Sequence, residues 1–216
     1  MNNKTKTGTI ISKNIEYNEY PPPFCLVKVM ERKWAEKLIR CGLIRFRKLV
    51  YYRNWENNLL GDPNDGKGLY YFNKHPMHTD SINDVYAWCL SLPEIKSERL
   101  LALADNGNYD CLVKINAPEN LFERIKQILN QTDYKFWVHC GQINYDRGAE
   151  VNQQALNSQK FHHNIFQKAI NFSSDLEYRI SITNCSINSC DSEILNVSLG
   201  NCSDIIEIQS LPKLSV

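Results

Sequence analysis

The run from Phe24 to Val50 constrains the fold more than any other part of the chain. FCLVKVM at 24–30 has the apolar, β-branched character of a strand. ERKWAEKLIRC at 31–41 places Trp34, Leu38 and Cys41 on one helical face, Gly42 supplies a stop, and LIRFRKLV at 43–50 returns to strand character. A β-α-β start results, with Pro21-Pro22-Pro23 stiffening the chain just ahead of it. Residues 1–20 are polar and lack apolar periodicity, so they are assigned to a flexible or loosely packed N-terminal arm. Residues 21–216 show no break in composition, and 216 residues at 43% hydrophobic content suffice for one core. A single α+β domain over 21–216 is expected.

Downstream, GDPNDGKG and NKHPMHTD within 54–84 carry the Gly, Pro, Asn and Asp residues of a long irregular loop. The pattern then predicts a strand at 85–91, a helix at 96–104, a turn at Asn106-Gly107 and a strand at 109–116. A helix at 118–130 begins on Pro118. A strand at 135–144, a helix at 158–170 and strands at 178–184, 193–199 and 204–209 complete the reading. A formal net charge of +1 and a pI near 7.5 give no overall field that would attract polyanions, so any such site is local. The N-terminus has no apolar leader region, and no window reaches the roughly 18 apolar residues of a membrane span. The expectation is a cytoplasmic protein without a membrane partner. Its eight cysteines sit mostly in apolar runs and read as reduced core thiols.

Two constellations could carry chemistry. Arg40, Arg45, Arg47, Lys48 and Arg53 interleave with Phe46, Tyr51 and Tyr52, and no acid intervenes. Guanidinium groups fork onto phosphates and aromatic faces stack on bases or a nicotinamide ring, so the strip suits a diphosphate cofactor or a nucleic-acid strand. An ordinary half-exposed strand with solvated arginines has the same spacing. The second is Asp175-Leu176-Glu177-Tyr178-Arg179-Ile180-Ser181-Ile182, where period two sends Glu177, Arg179 and Ser181 to one face and Tyr178, Ile180 and Ile182 to the core face. A carboxylate on a rigid strand can hold a ribose hydroxyl and stabilise an oxocarbenium ion. The plainer reading of such alternation is a solvated Glu/Arg face.

Other candidates carry less. His162 and His163 lack i, i+4 spacing, and Cys185, Cys190 and Cys202 contain no CxxC pair, so no metal is expected. His139 and Cys140 are adjacent, which on a strand separates their side chains. GxGxxG, GxxxxGK[ST] and GxSxG are absent from the sequence.

Read in order, FCLVKVMERKWAEKLIRCGLIRF, LVYYRNWENNLLGDPNDG, WCLSLP, FSSDLEYRISI and ILNVSLGNCSDIIEI give a layout that resembles small bacterial proteins of the ADP-ribosyltransferase-like superfamily. These include the DarT-type nucleic-acid-modifying toxins and the toxin of a phage-defence toxin-antitoxin-chaperone system. The chain is also similar to a bacterial family of undefined function with an FNDP-E loop, a CFS strand and a late E-x-E-[WY]-R strand. The resemblance implies a mostly antiparallel split sheet with about four flanking helices, NAD as substrate, and RNA or DNA as acceptor. An antitoxin or chaperone would be a partner. It assigns cofactor contacts to Lys28, Arg45, Tyr52 and Arg179, with Tyr52 against the nicotinamide. Arg53 would grip the diphosphate or aid catalysis, with Arg45 as its reserve, and Glu177 would be the catalytic carboxylate. NAD would lie between the Arg45–Arg53 segment and the Glu177 strand, under the 54–84 loop. The chain departs from the pattern in lacking a first-strand His and a Ser-Thr-Ser strand, and Asp175 with Glu177 form D-x-E in place of E-x-E. That departure favours a nucleobase or other acceptor over arginine. The rival from another class is a non-catalytic nucleic-acid or protein binding module built on the Arg40–Arg53 strip.

Overall fold

A computed structural model describes residues 15–18, 22–53, 61–80, 85–132, 136–150, 163–184 and 192–212. The β-α-β start is present as β2 (Leu26–Met30), α1 (Arg32–Cys41) and β3 (Leu43–Lys48). Helix α1 stops where Gly42 adopts φ +61° and returns its N–H to the Lys37 carbonyl. A Cβ there would lie 2.6 Å from the Gly200 carbonyl oxygen, so backbone approach as well as handedness requires glycine. Ala35 and Leu38 are the buried residues of α1; Trp34 is half-buried, and Cys41, expected on one face with Trp34 and Leu38, is exposed.

The remaining elements are β1 (Ile15–Asn18), α2 (Leu49–Arg53), β4 (Lys67–Phe72), β5 (His75–Asp80), β6 (Val85–Ser91), α3 (Ser97–Gly107), β7 (Cys111–Ile115) and α4 (Pro118–Leu129). Then come β8 (Phe136–Gln142), β9 (Ala149–Glu150), 3-10 helices at His163–Phe166 and Ile170–Asp175, β10 (Glu177–Asn184), β11 (Ile194–Ser198) and β12 (Ile206–Gln209). The α+β class and the mostly antiparallel sheet are those expected. Only the β1–β8 and β4–β9 pairings are parallel among the described strands.

Nine strands form the main sheet in the order β1-β8-β10-β6-β2-β7-β12, with β3 branching from β6 and carrying β11. One face packs on α1 and α4. Leu121, Phe122, Ile125 and Leu129 of α4, at helical spacing, join Leu38, Phe46, Trp88, Tyr178 and Ile180 in the main core. Two smaller clusters lie elsewhere, one uniting Val27, Val29 and Leu112 with Leu100 and Ala104 of α3, the other uniting Val85 and Ala87 with Leu49 and Phe166.

Leu49 and Val50, expected in a strand, begin α2, and Asn106-Gly107, expected as a turn, close α3; three larger segments also differ from expectation. The supposed 54–84 loop contains a hairpin, β4 with β5, turned by Asn73 and Lys74 at φ +50° and +65°, which together with β9 makes a three-stranded second sheet. Asn-Lys performs the turn that Asn-Gly usually signals; residues 54–60 and 81–84 lie outside the described part. The helix expected at 158–170 is not an α-helix where described. Residue 144 competes for its hydrogen bonds: Asn144 N–H donates to Phe166 O, and Lys168 N–H to Asn144 O, which draws the chain at Gln167 into a bridge. Within 1–20, Ile15–Asn18 pair in parallel with Val138–Gly141 at the edge of the main sheet.

Candidate functional site

The sheet forks at β6. On one edge β6 is paired along its length with β10, from Glu177 opposite Ser91 to Thr183 opposite Val85. On its other edge β2 reaches it at Val27–Ser91 and β3 at Arg47–Ala87 and Lys48–Tyr86. Between those contacts Trp88, Cys89 and Leu90 border a cleft of about 280 Å³ whose lining also includes Glu177 of β10. Such a cleft is of the size that takes part of a nucleotide-sized ligand.

The cleft floor is ionic. Arg179, wholly buried, spans two carboxylates: Nη1 and Nη2 meet the two Asp65 oxygens at 2.7 and 3.0 Å, while Nε and Nη2 meet Glu177 Oε1 at 2.9 and 2.7 Å. Lys168 Nζ holds the other Glu177 oxygen at 2.6 Å. Two acids and two bases thus balance, and the bidentate fork fixes their geometry. Burial works to raise the Glu177 carboxyl, but Arg179 and Lys168 overturn it and hold the group well below the usual carboxylate range. Burial likewise opposes the charge on Arg179 and Lys168, and their carboxylate partners more than restore it. Burial, followed by the Glu177 charge, pushes the Cys89 thiol up to about 12. It is therefore a thiol, not a thiolate.

Asp65 reaches this floor because the loop Gly61–Gly66 is clamped. A second arginine, Arg147, meets Asp62 Oδ2 at 2.7 Å and donates to the carbonyls of Asn64 and Gln167, each at 2.8 Å, and of Lys67 at 3.1 Å. Asp62 Oδ1 accepts the Asn64 N–H at 2.9 Å, and Asn164 donates to the Gly66 carbonyl. One arginine thus binds each aspartate of the D-P-N-D turn. At the far side of the floor Arg99 of α3 pairs with Asp175, whose carboxyl burial raises against the pull of Arg99 and Lys168.

Four of the residues singled out in the sequence are brought together. Glu177, Lys28, Arg45 and Tyr52 all line the cleft. Lys28 Nζ donates to Cys89 O at 2.6 Å, and Tyr52, whose hydroxyl burial holds well above its ordinary range, faces Ala87 O at 3.4 Å. Arg45 stacks on the Trp34 ring at 4.5 Å and Arg47 on Tyr51 at 4.1 Å. Arg53 does not line the cleft; its Nε donates to the Asp65 carbonyl, so it supports the clamped loop. Arg179 lies beneath the lining as the partner of Glu177. The solvated Glu/Arg face is overturned, since every residue of β10 is buried. His139 and Cys140 point to opposite faces, Cys140 into the main core and His139 against Trp137 at 4.0 Å.

Asp62, Asp65, Arg147, Lys168 and Cys89 were not singled out in the sequence. The one local signal was two aspartates three apart in a Gly-bounded turn; nothing in spacing linked them to arginines 85 and 114 positions away. His162, Cys185 and Cys190 lie outside the described residues. Among the described residues no three His, Cys, Asp or Glu side chains converge as metal ligands, and no helix is long and apolar enough to cross a membrane.

No protein-family model, curated protein or solved structure matches the chain.

Proposed function

We propose that this chain is an ADP-ribosyltransferase that takes NAD in the forked-sheet cleft and delivers ADP-ribose to a macromolecular acceptor, RNA or DNA. The observation that carries the reading is one cleft that joins an ionised, rigidly held Glu177 at its floor to Arg45 and Arg47 at its β3 wall. The floor is charge-balanced, so Arg45 and Arg47 leave the cleft with an excess of positive charge suited to a diphosphate. Arg45, and not Arg53, takes the diphosphate role, because Arg53 is turned to Asp65.

In this reading the nicotinamide ribose lies against Glu177 and the nicotinamide against Tyr52. A carboxylate offers about four acceptor sites and the ion pairs of Glu177 take three, so it can hold a ribose hydroxyl beside them. As the bond from C1′ to nicotinamide lengthens, the fixed negative charge of Glu177 stabilises the oxocarbenium character of the transition state. Nicotinamide departs with the bonding electrons, and an acceptor nitrogen forms the new bond to C1′. Arg179 and Lys168 are positioning residues: they touch Glu177 and keep it ionised.

The test is incubation of the protein with labelled NAD and separate RNA, DNA and protein fractions of a cell extract. Label in one fraction, absent with Glu177→Ala whose folding is verified by circular dichroism, is the expected result. Transfer at full rate by that variant would sink the assignment. As a toxin or phage-defence effector, countered by an antitoxin or chaperone, the intact gene would be poorly tolerated and the Glu177→Ala gene tolerated.

The half-buried guanidinium-aromatic stacks Arg45–Trp34 and Arg47–Tyr51 favour a second reading, a non-catalytic module that holds nucleic acid or an acidic protein. A salt-dependent affinity for RNA that survives Glu177→Ala, with no label transferred from NAD, would select it.

A further inference from the structure

Lys28 differs from the other cations of the cleft floor. Lys168 is held by Glu177 at 2.6 Å and Arg179 by two carboxylates, whereas the partners of Lys28 are a carbonyl and a ring. Its Nζ donates to Cys89 O at 2.6 Å and lies 5.9 Å from the Trp88 ring, near the outer limit of a cation-ring attraction. No carboxylate fixes the Lys28 ammonium in the cleft, and on losing a proton its amine can keep the Cys89 carbonyl bond while turning a lone pair to the cleft. Burial pushes the Lys28 ammonium down, opposed by a Glu177 charge that Arg179 and Lys168 already neutralise. The amine faces the cleft from β2, and Arg45 and Arg47 line the same cleft from β3.

We propose that Lys28 is a nucleophilic amine that forms an imine with phosphate-bearing aldehydes entering the cleft, with Arg45 and Arg47 taking the phosphate. Once the ammonium has given its proton to solvent, Nζ adds to the carbonyl carbon. The carbinolamine then loses the carbonyl oxygen with the two amine hydrogens as water, and the C=N bond forms with no oxidant or reductant. Desolvated lysines act as nucleophiles in this way because burial disfavours the ammonium relative to the neutral amine. ADP-ribose in its open-chain form is one such aldehyde, so hydrolysis of NAD in this cleft, with water in place of the acceptor, would bring Lys28 a ligand of that class. The imine itself does not depend on NAD, and absence of ADP-ribosyl transfer would leave it standing.

The experiment treats the full chain with pyridoxal 5′-phosphate, reduces the imine with cyanoborohydride and maps labelled peptides by mass spectrometry. Lys28 is expected to label several-fold faster than the exposed Lys74 and Lys96. Lys28→Arg, with an unchanged circular dichroism melt, should lose only that fast label, and inorganic phosphate should slow it. Labelling of Lys74 and Lys96 with Lys28 unmodified in the folded protein would overturn the proposal. Equal labelling of Lys28 by phosphate-free pyridoxal would overturn the part given to Arg45 and Arg47.

Discussion

The two faces of β10 are built from alternate residues of one eight-residue strand, and both are dry, yet they are held by opposite physics. On one face Tyr178, Ile180 and Ile182 enter the main core, with the Tyr178 ring stacked on Phe122 at 5.9 Å and 6° between planes. Burial there stabilises through apolar area, at about 25 cal/mol per Å². On the other face Glu177 and Arg179 are buried under the Gly61–Gly66 loop and Lys168, where each charge carries a desolvation cost that only its partners offset. The apolar face tolerates loss of a methyl group as a small cavity. The ionic face tolerates little, because removing one member strands the rest. Such a face is a poor source of net stability and a good device for fixing a carboxylate in one ionisation state and one orientation.

The comparison breaks most sharply at Arg179. Arg179→Ala leaves Asp65 and Glu177 buried without their shared cation and should cost about 3–5 kcal/mol in denaturant unfolding; a loss under about 1 kcal/mol would mean the cluster admits water.

Acidification is the next lever. The Glu177 pKa is lower folded than unfolded, so its contribution to stability is present above the unfolded value and disappears as pH falls toward the folded one. The melting temperature should therefore drop steeply below about pH 4.5. Glu177→Gln should flatten that part of the curve, and identical curves would remove Glu177 from the pH response.

A double-mutant cycle of Asp65→Asn and Arg179→Met should show a coupling of about 0.5–3 kcal/mol, since the two side chains meet through two hydrogen bonds. Additive costs would show that the loop and β10 are held independently. At the small end, Ile180→Val on the apolar face should cost about 0.5–1.5 kcal/mol with no change in pH dependence.

Much of the scaffold was legible in the chain. Strand 85–91 is found at those residues, and the helix expected at 118–130 ends one residue earlier. The αL glycine at 42 and the Pro118 start are local effects that need no partner. The hairpin at 67–80 was missed because its turn lacks the usual glycine, and the α-helix expected at 158–170 does not form over its described residues because residue 144, far off in sequence, takes the hydrogen bonds. For the site, alternation correctly grouped Glu177 with Arg179 and separated them from Ile180, because period two is a property of any extended chain. Whether that polar face would be wet or dry was beyond the sequence. Solvation depends on what packs above the strand, and the covering groups, Asp65 and Lys168, come from segments whose only link to β10 is three-dimensional. Tertiary structure alone decided that β2 and β3 part from β6, opening a cleft beside Glu177: two strands share one edge of a third only when each finds other neighbours, here β7 and β11.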